Sequence, residues 1–270
     1  MYRIIVFPLI FSFILTAGTG CSTTGTTAQS PDAETGRTLV WSDEFDGTRL
    51  DTANWTVVLG DGCPNLCGWG NEERQIYTAD NHRVADGHLT ITVRKEGDTY
   101  TSTRLSTKDK RAFQYGRIEA RAKLPVGEGL WPAFWMLGQR IDEVGWPLAG
   151  EIDILEYVGR APGEVFTTLH TAANHGGNAT SRITPIPDIE DGFHHFATEW
   201  TSEQITFYVD GRLVHTFNPE ERSEEVWPFD HPFYILLNVA VGGNFGGPGV
   251  DDTVFPQEYV VDYVRVYAPE

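Results

Sequence analysis

The sequence of 270 residues predicts an all-β protein, and three observations support that fold class. Several segments alternate polar and apolar residues with the period of two that places one face of a strand on a core. Short strand-like segments are separated by turns that contain Gly and Pro. Long stretches with the 3.6-residue apolar periodicity of a helix are missing. Many short strands joined in this way are typical of two antiparallel sheets packed as a β-sandwich.

The N-terminal segment predicts export. Residues 1–20 carry one cation, Arg3, followed by an apolar run over residues 4–15 and then small residues, which is the order of a signal peptide. The run is too short to cross a bilayer as a helix. Cys21 resembles the lipidated cysteine of bacterial lipoproteins, although Gly18 stands where those sequences usually have Leu. The prediction is either a lipoprotein of the outer membrane or cell surface, anchored at Cys21, or a secreted or periplasmic protein.

A flexible tether is predicted between the signal and the folded domain. Residues 21–37 are rich in Ser, Thr, Gly, Ala and Gln, a composition that buries too little apolar surface to become ordered. No similar stretch and no internal repeat follow. Residues 38–270 are therefore predicted to form one folded domain, which is long enough to bury a full-sized core.

Within this domain, the first strands are predicted from alternation. Residues 88–94 (H-L-T-I-T-V-R) and 117–123 (R-I-E-A-R-A-K) alternate polar and apolar side chains. Each pattern indicates a strand in a sheet with one solvated face. Residues 234–241 and 259–267 are rich in aromatic and β-branched residues and are predicted as further strands.

The strongest local signal is a β-hairpin. Two β-rich segments, Ile205–Val209 and Arg212–Phe217, flank the pair Asp210 and Gly211. Asp-Gly supplies the positive φ angles of a tight two-residue turn. The sequence therefore predicts an antiparallel strand pair at this position.

Charge and cysteine content restrict the class of partner. With 38 Asp and Glu against 20 Lys and Arg, the formal net charge is −18, which argues against nucleic acid and favours a neutral ligand over an anionic one. Of the three cysteines, Cys63 and Cys67 lie in C-P-N-L-C. They form either a local disulfide or two idle thiols, because the flanking residues supply no further zinc ligands.

Three acids occur within one apolar, strand-like segment, G-E-I-D-I-L-E-Y-V-G. On a regular strand Glu151 and Asp153 share a face, whereas Glu156 points to the opposite one. A β-bulge around Ile154 and Leu155 would add the extra residue that returns Glu156 to the face of the other two. The alternatives are that these acids are charges of an edge strand or a cation site.

If the three acids line one cleft, repulsion separates their proton affinities, so that one carboxyl stays protonated while another is ionised. Retaining glycoside hydrolysis needs such a pair: a carboxylate nucleophile and, about 5 Å away, a protonated acid that later acts as base. Aromatic side chains support a sugar cleft, because Trp131 and Trp135 lie just upstream and aromatic rings stack on sugar rings. The alternative for Trp135 is core packing, and His170 faces the cleft or is structural.

Several motifs in a common order resemble glycoside hydrolase family 16, and within it the bacterial laminarinases, which are retaining endo-β-1,3-glucanases. The acid motif G-E-I-D-I-L-E is one of them. The others are W-S-D-E-F-D-G (41–47), G-W-G-N-E-E-R-Q-I-Y-T (68–78), Y-G-R-I-E-A-R (115–121), L-W-P-A-F-W-M-L-G (130–138), N-V-A-V-G-G-N (238–244) and V-D-Y-V-R-V-Y (261–267).

The resemblance implies a jelly-roll β-sandwich whose concave face is the cleft. It also implies that Glu151 is the nucleophile, Glu156 the general acid/base, and Asp153 the acid between them that orients the nucleophile. No cofactor is implied for catalysis, and a monomer is expected. The sugar-binding residues implied are Trp131, Trp135, His170, Asn71, Arg104 and Glu73.

The resemblance further implies a structural Ca²⁺ on the convex side, with ligands that include Glu44, Gly87 and Asp262. Oxygen ligands suit this hard cation, whereas the alternative for Asp262 is a surface ion pair. One departure concerns the cleft, because Phe245 follows G-G-N where laminarinases often have Trp. Phe keeps an apolar platform and lacks the indole donor.

Two other functions are compatible with these motifs. The first is hydrolysis of mixed-linkage β-1,3-1,4-glucan or agar by a member of the same family. Mixed-linkage enzymes of the family typically have an unbulged E-x-D-x-E, one residue shorter than the motif here. The second is a non-catalytic glucan-binding module, which would not need three acids in one apolar strand.

Overall fold

The computed structural model describes Met1 and residues 36–269. The predicted signal peptide, the predicted lipidation site Cys21 and most of the predicted tether lie outside the described residues. In the part that is described, no helix has the length and apolar character needed to span a bilayer.

The described residues form an antiparallel β-sandwich. Its strands are β1 Leu39–Asp43, β2 Thr56–Val58, β3 Gln75–Tyr77, β4 His82–Ala85, β5 His88–Glu96, β6 Thr99–Ser102, β7 Arg104–Ser106, β8 Gly116–Lys123, β9 Leu130–Gly138, β10 Glu151–Glu156, β11 Glu164–His170, β12 Thr180–Pro185, β13 His194–Trp200, β14 Ile205–Val209, β15 Arg212–Phe217, β16 Phe233–Val241 and β17 Gln257–Tyr267.

Helical segments are short. They are the α-helices α1 Ile141–Val144 and α2 Gly243–Gly246, together with the 3₁₀ turns Cys67–Gly70, Ala79–Asn81 and Gly176–Asn178. The first 3₁₀ turn follows a disulfide between Cys63 and Cys67, so the disulfide is the correct one of the two alternatives that the sequence left open.

The strands are divided between two sheets. The ten-stranded sheet has the order β15-β14-β13-β8-β17-β5-β6-β3, with β1 paired to β17 and β4 to β5. The seven-stranded sheet has the order β12-β11-β10-β9-β16-β7-β2. Pairing is antiparallel except between β3 and β6. This all-β sandwich agrees with the fold class and the jelly-roll arrangement that the sequence predicts.

The hydrophobic core lies between the two sheets, and strand β9 shows how the sequence produces it. Phe134 and Met136 of β9 belong to the core, whereas Trp131 and Trp135 point to the opposite side of the seven-stranded sheet and remain partly exposed. This alternation is the period-two pattern of a strand with one core face. The outer face of the seven-stranded sheet thus carries the aromatic residues of the predicted cleft.

The predicted strands are present with small changes at their ends. Residues 88–94, 117–123, 234–241 and 259–267 lie within β5, β8, β16 and β17. The hairpin is also confirmed, because β14 and β15 pair antiparallel and Asp210 and Gly211 have φ angles of 50° and 74°. Both angles are positive, as the tight turn between the strands requires.

Candidate active site

The three acids lie on β10, in the interior of the seven-stranded sheet between β9 and β11. Asp153 pairs with Trp135 of β9, whereas Leu155 pairs with Phe134, so one residue of β10 has no partner and the register shifts. The register with β11 shifts in the same stretch. The bulge predicted at Ile154 and Leu155 is therefore confirmed.

The bulge brings Glu156 to the face that carries Glu151 and Asp153. Trp131, which shares the outer face of β9 with Trp135, donates its indole N–H to Glu156 Oε1 at 3.1 Å. Trp135 is the direct cross-strand partner of Asp153 on the same face. The three carboxyl groups therefore converge on one groove, as the sequence predicts.

On the β11 side, His170 stands between two of the acids. Its Nε2 lies 3.6 Å from Glu151 Oε1 and 3.4 Å from Asp153 Oδ2. His170 is also the cross-strand partner of Glu151. The sequence left open whether this histidine faces the cleft, and the structure places it there.

Burial and repulsion act on the protonation of all three acids. Burial first, and then the charge of Asp153, raise the pKa of Glu151 to about 8 and that of Glu156 also to about 8, while His170 opposes the shift. Burial raises the pKa of Asp153 well above its usual value. Because three acids share one groove, they do not ionise together, and the cluster retains protons at neutral pH, which keeps a proton donor in the groove.

The two glutamates differ in their hydrogen-bond partners. Glu151 Oε2 accepts from the indole N–H of Trp146 at 3.1 Å. Glu156 accepts from Trp131 at Oε1 and from the hydroxyl of Thr168 at Oε2, also at 3.1 Å. Each donor stabilises the ionised form of its carboxylate, so each glutamate can carry charge in one part of a reaction cycle.

Trp146 and Thr168 are site residues that the sequence analysis missed. Trp146 is half-exposed, and its ring centre lies 5.6 Å from that of His170 and 5.3 Å from that of His175. Its position five residues before Glu151 is a signal that could have identified this tryptophan as a site residue. Thr168 could have been found only from the pairing register, because it is the cross-strand partner of Asp153.

An aromatic cluster adjoins Glu156. The ring of Phe245 lies edge-on to Trp131, with 5.3 Å between centres, and edge-on to Phe166, with 5.0 Å between centres. Arg160 donates to the carbonyl oxygen of Phe245 at 2.8 Å and so holds this short segment in place. Phe245 therefore keeps an apolar surface next to the acid/base, although it has no indole donor.

A second cluster surrounds Arg104 at the other end of the groove. Its guanidinium carbon lies 4.3 Å from the ring centre of Trp69, 4.8 Å from that of Tyr77 and 5.6 Å from that of Trp135. Asn238, next to Arg104 in the pairing register, accepts from the indole of Trp135 at 2.8 Å. Trp69 is half-buried here and was not among the predicted site residues.

Glu73 has a supporting position in this second cluster. Its side chain is only 2 % exposed and lies 3.7 Å from Arg104. It accepts hydrogen bonds from Asn71 at 3.2 Å and from Gln75 at 2.6 Å. The predicted sugar-binding residues Asn71 and Arg104 are thus held by a buried carboxylate, and Glu73 contacts them instead of opening onto the groove.

Among the described residues, the one group of three side chains that could hold a metal ion is Glu151, Asp153 and His170, whose ligand atoms lie within 4.8 Å of one another. These are the groups of the acid cluster itself, and we assign them no metal. The predicted calcium ligands lie elsewhere. Glu44 accepts hydrogen bonds from Nε and Nη2 of Arg265 at 2.9 and 2.8 Å.

The other side-chain ligand of the predicted calcium site, Asp262, pairs with Arg121 at 2.6 Å, and Gly87 can offer only its carbonyl oxygen. In this arrangement the two carboxylates face arginines, so the side chains by themselves do not fit a cation site. Calcium binding stays a prediction, and no step below depends on it.

Comparison with known proteins gives consistent matches. Residues 70–265 match the family model "Glycosyl hydrolases family 16". A "Beta-glucanase" from Rhodothermus marinus is 44% identical over 276 residues, covering 95% of this chain and 93% of the relative. The sequence similarity therefore extends over nearly the full length of both proteins.

Solved structures show the same similarity. A laminarinase from Flavobacterium sp. UMI-01 is 59% identical, with a TM-score of 0.84 over 85% of this chain and 100% of that one. The laminarinase catalytic domain from Thermotoga maritima MSB8 is 43% identical, with a TM-score of 0.82 over 86% and 98% of the two chains. On these matches, and on the acid motif whose geometry is described above, the chain belongs to glycoside hydrolase family 16.

Proposed function

We propose that this protein is a retaining endo-β-1,3-glucanase that hydrolyses laminarin-type glucan, with Glu151 as nucleophile and Glu156 as general acid/base. The observation that carries the proposal is the bulge of β10, which brings both glutamates to one aromatic groove. The names of the similar proteins, a β-glucanase and two laminarinases, support this substrate class.

In the first step, Glu151 attacks the anomeric carbon as a carboxylate while Glu156 donates its proton to the departing glycosidic oxygen. The bond between the anomeric carbon and that oxygen breaks, and a covalent glycosyl-enzyme forms. Trp146 stabilises the ionised Glu151 before the attack through its N–H. Asp153 and His170, which lie 3.4 Å apart, orient the nucleophile and balance its charge.

In the second step, Glu156 is ionised and acts as a base. It takes a proton from water, whose oxygen attacks the anomeric carbon, and the electron pair of the breaking bond returns to Glu151. Two inversions give net retention. The charge on Glu156 in this step is stabilised by Trp131 and Thr168.

The groove has the chemistry of a neutral-sugar site. Tryptophan faces stack on the apolar faces of sugar rings, while Asn71 and Arg104 offer hydrogen-bond donors to hydroxyl groups. With a net charge of −18, the protein as a whole repels sulfated or carboxylated polymers. Both features support a neutral β-glucan as the substrate.

The deciding experiment is a product profile of the purified protein on laminarin, lichenan and agarose, with ¹H NMR of the first product formed. We expect oligosaccharides from laminarin, and β-anomers before mutarotation. Faster release from lichenan would favour the mixed-linkage alternative. Binding to laminarin without any release of reducing ends would favour a non-catalytic glucan-binding module.

We also propose, from the sequence alone, that the protein is exported, as a lipoprotein anchored at Cys21 or as a secreted or periplasmic protein, and that it acts as a monomer. Metabolic labelling with a lipid precursor would distinguish the anchored lipoprotein from a secreted or periplasmic protein. Labelling that persists in Cys21→Ala would contradict the anchor.

A further inference from the structure

The general acid/base Glu156 forms a continuous hydrogen-bonded chain with two further side chains. The hydroxyl of Thr168 lies 3.1 Å from Glu156 Oε2 and 3.0 Å from the hydroxyl of Ser181. Thr168 is 5% exposed, whereas Ser181 is exposed on the edge strand β12. A path of hydroxyl groups therefore leads from the buried carboxyl group to solvent.

The fold itself produces this chain. Asp153, Thr168 and Ser181 are direct neighbours across β10, β11 and β12. Glu156 pairs in register with Phe166, two residues from Thr168, so the bulge brings its carboxyl group diagonally against the Thr168 hydroxyl. The edge position of β12 leaves Ser181 open to water.

The two partners of Glu156 are not equivalent chemically. The indole of Trp131 can only donate, so it serves Oε1 in either protonation state. A threonine hydroxyl can donate or accept. It can therefore donate to Glu156 when the carboxyl is ionised and, after rotating, accept from it when the carboxyl is protonated.

Resting on the function proposed above, we propose that Thr168 and Ser181 form a hydroxyl relay that positions Glu156 and stabilises the charge that develops on it as it gives its proton to the leaving group. When Glu156 has lost its proton to the leaving group, Ser181 donates to Thr168 and Thr168 donates to Glu156. When Glu156 regains a proton from water, both hydroxyls reverse. No proton leaves the relay, so the proton balance of the reaction is unchanged.

Other charged groups also face Glu156, and the test has to separate the relay from them. Asp153 and Glu151 of β10 repel its charge, and His170 of β11 attracts it. Substituting these groups would disturb the chemistry directly. Thr168→Val instead removes one hydroxyl at nearly constant volume and leaves every charge in place.

The experiment is the pH dependence of laminarin hydrolysis by Thr168→Val, Thr168→Ser and Ser181→Ala. In Thr168→Val the ionised Glu156 loses a donor, so the alkaline limb of kcat/KM moves up by about one pH unit. We expect kcat to fall by up to about tenfold, because Glu156 with a raised pKa is a weaker acid towards the departing oxygen in the first step. KM is expected to change little, since the covalent intermediate does not accumulate. Thr168→Ser restores the limb and kcat, and Ser181→Ala shifts the limb in the same direction by a smaller amount.

The matched control is Thr167→Val. Thr167 is adjacent on β11 but lies on the opposite side of the strand, where its hydroxyl is 3.1 Å from His215 Nδ1. Thr167→Val is expected to show the same pH profile of kcat/KM as the wild type. If Thr168→Val keeps the wild-type limb, or if Ser181→Ala shows no shift, the relay is wrong. Should Thr168→Val fail to fold, the exposed Ser181→Ala still decides.

A second measurement is independent of the proposed function. A ¹³C NMR titration of the Glu156 carboxyl group without substrate is expected to show a higher midpoint in Ser181→Ala than in wild type. An unchanged midpoint would overturn the relay. Absence of laminarin hydrolysis by the wild-type protein would instead count against the proposed function.

Discussion

The two glutamates of the groove are close in space, yet each has its own set of neutral donors. Glu151 is served by Trp146, and Glu156 by Trp131 and Thr168. Neutral donors stabilise the carboxylate without placing an opposite charge beside it. Protonation of the glutamate therefore costs less free energy than it would beside a cation. Asp153 Oδ2 has no hydrogen-bond partner, and Nε2 of His170 lies 3.4 Å from it.

Glu151→Gln is expected to abolish hydrolysis while laminarin binding is kept. The substitution removes the attacking oxygen but little volume, so kcat is expected to fall by about four orders of magnitude. Reducing-end release and binding by calorimetry measure the two effects. Wild-type release of reducing ends would disprove the role of Glu151.

Glu156→Ala is expected to lose activity on laminarin and to keep part of it on aryl glucosides, whose leaving groups need no proton. Azide should restore turnover, because it attacks the glycosyl-enzyme without a base. The expected product is the β-glycosyl azide. An α-azide would mean that the two glutamates have exchanged roles, and no rescue would contradict the acid/base role.

The strands that carry the site were predictable to different degrees. Alternation and the Asp-Gly turn were enough for the hairpin and for β5 and β8, because each pattern is local. The bulge in β10 was predictable because strict alternation would otherwise separate Glu156 from Glu151. Trp131 was likewise expected in the groove, whereas the position of His170 was left open.

Residues that depend on long-range pairing could not be found in this way. Thr168 becomes a neighbour of Glu156 only through the register between β10 and β11, and Trp69 meets Arg104 across separate segments. Glu73 stays a predicted sugar-binding residue, and its burial beneath its neighbours could not be foreseen, because burial is a tertiary property. Side-chain spacing along one chain carries no information on such contacts.

The Cys63–Cys67 loop supports one wall of the groove. Leu66 N–H donates to the carbonyl oxygen of Gly62 at 2.8 Å, and a side chain at Gly62 would come within 3.3 Å of the Trp69 ring. The loop thus packs beside the residue that stacks on Arg104. We infer that the disulfide keeps Trp69 in position.

A double variant, Cys63→Ser with Cys67→Ser, is expected to be less stable by about 2 kcal/mol, from loop-closure entropy alone. Its KM for laminarin should rise severalfold with little change in kcat, because Trp69 loses support. Urea unfolding and steady-state kinetics measure both. Dithiothreitol serves as the control, since it should raise the KM of the wild type and leave the KM of the variant unchanged. Equal KM values for the wild type and the double variant would refute the role of the disulfide in supporting Trp69.

For the whole molecule, the acid cluster imposes a cost on stability. The folded pKa values of Glu151 and Glu156, about 8, lie above the usual 4.5. Between these pH values the folded protein binds more protons than the unfolded chain, so stability falls as the pH rises from about 4.5 to 8. Functional sites commonly reduce stability in this way.

At pH 8, Glu151→Gln is therefore expected to unfold at a higher temperature than the wild type. Its free energy of unfolding should be higher by at least about 1 kcal/mol. The difference should vanish below about pH 3.5, where the wild-type acid is protonated in both states. Calorimetry across this range measures it. Glu220→Gln, at an exposed acid, is the matched control, and an equal gain there would attribute the effect to net charge.

The ends of the described domain meet on the sheet that faces away from the groove. β1 pairs with β17, and Ala268 N–H donates to the carbonyl oxygen of Thr38 at 2.8 Å. A short linker could therefore join these ends without disturbing the catalytic strands, and a circular permutant could be opened at a loop away from the groove. Immobilisation on a solid support through either end would leave the opposite side of the molecule accessible to a long polymer.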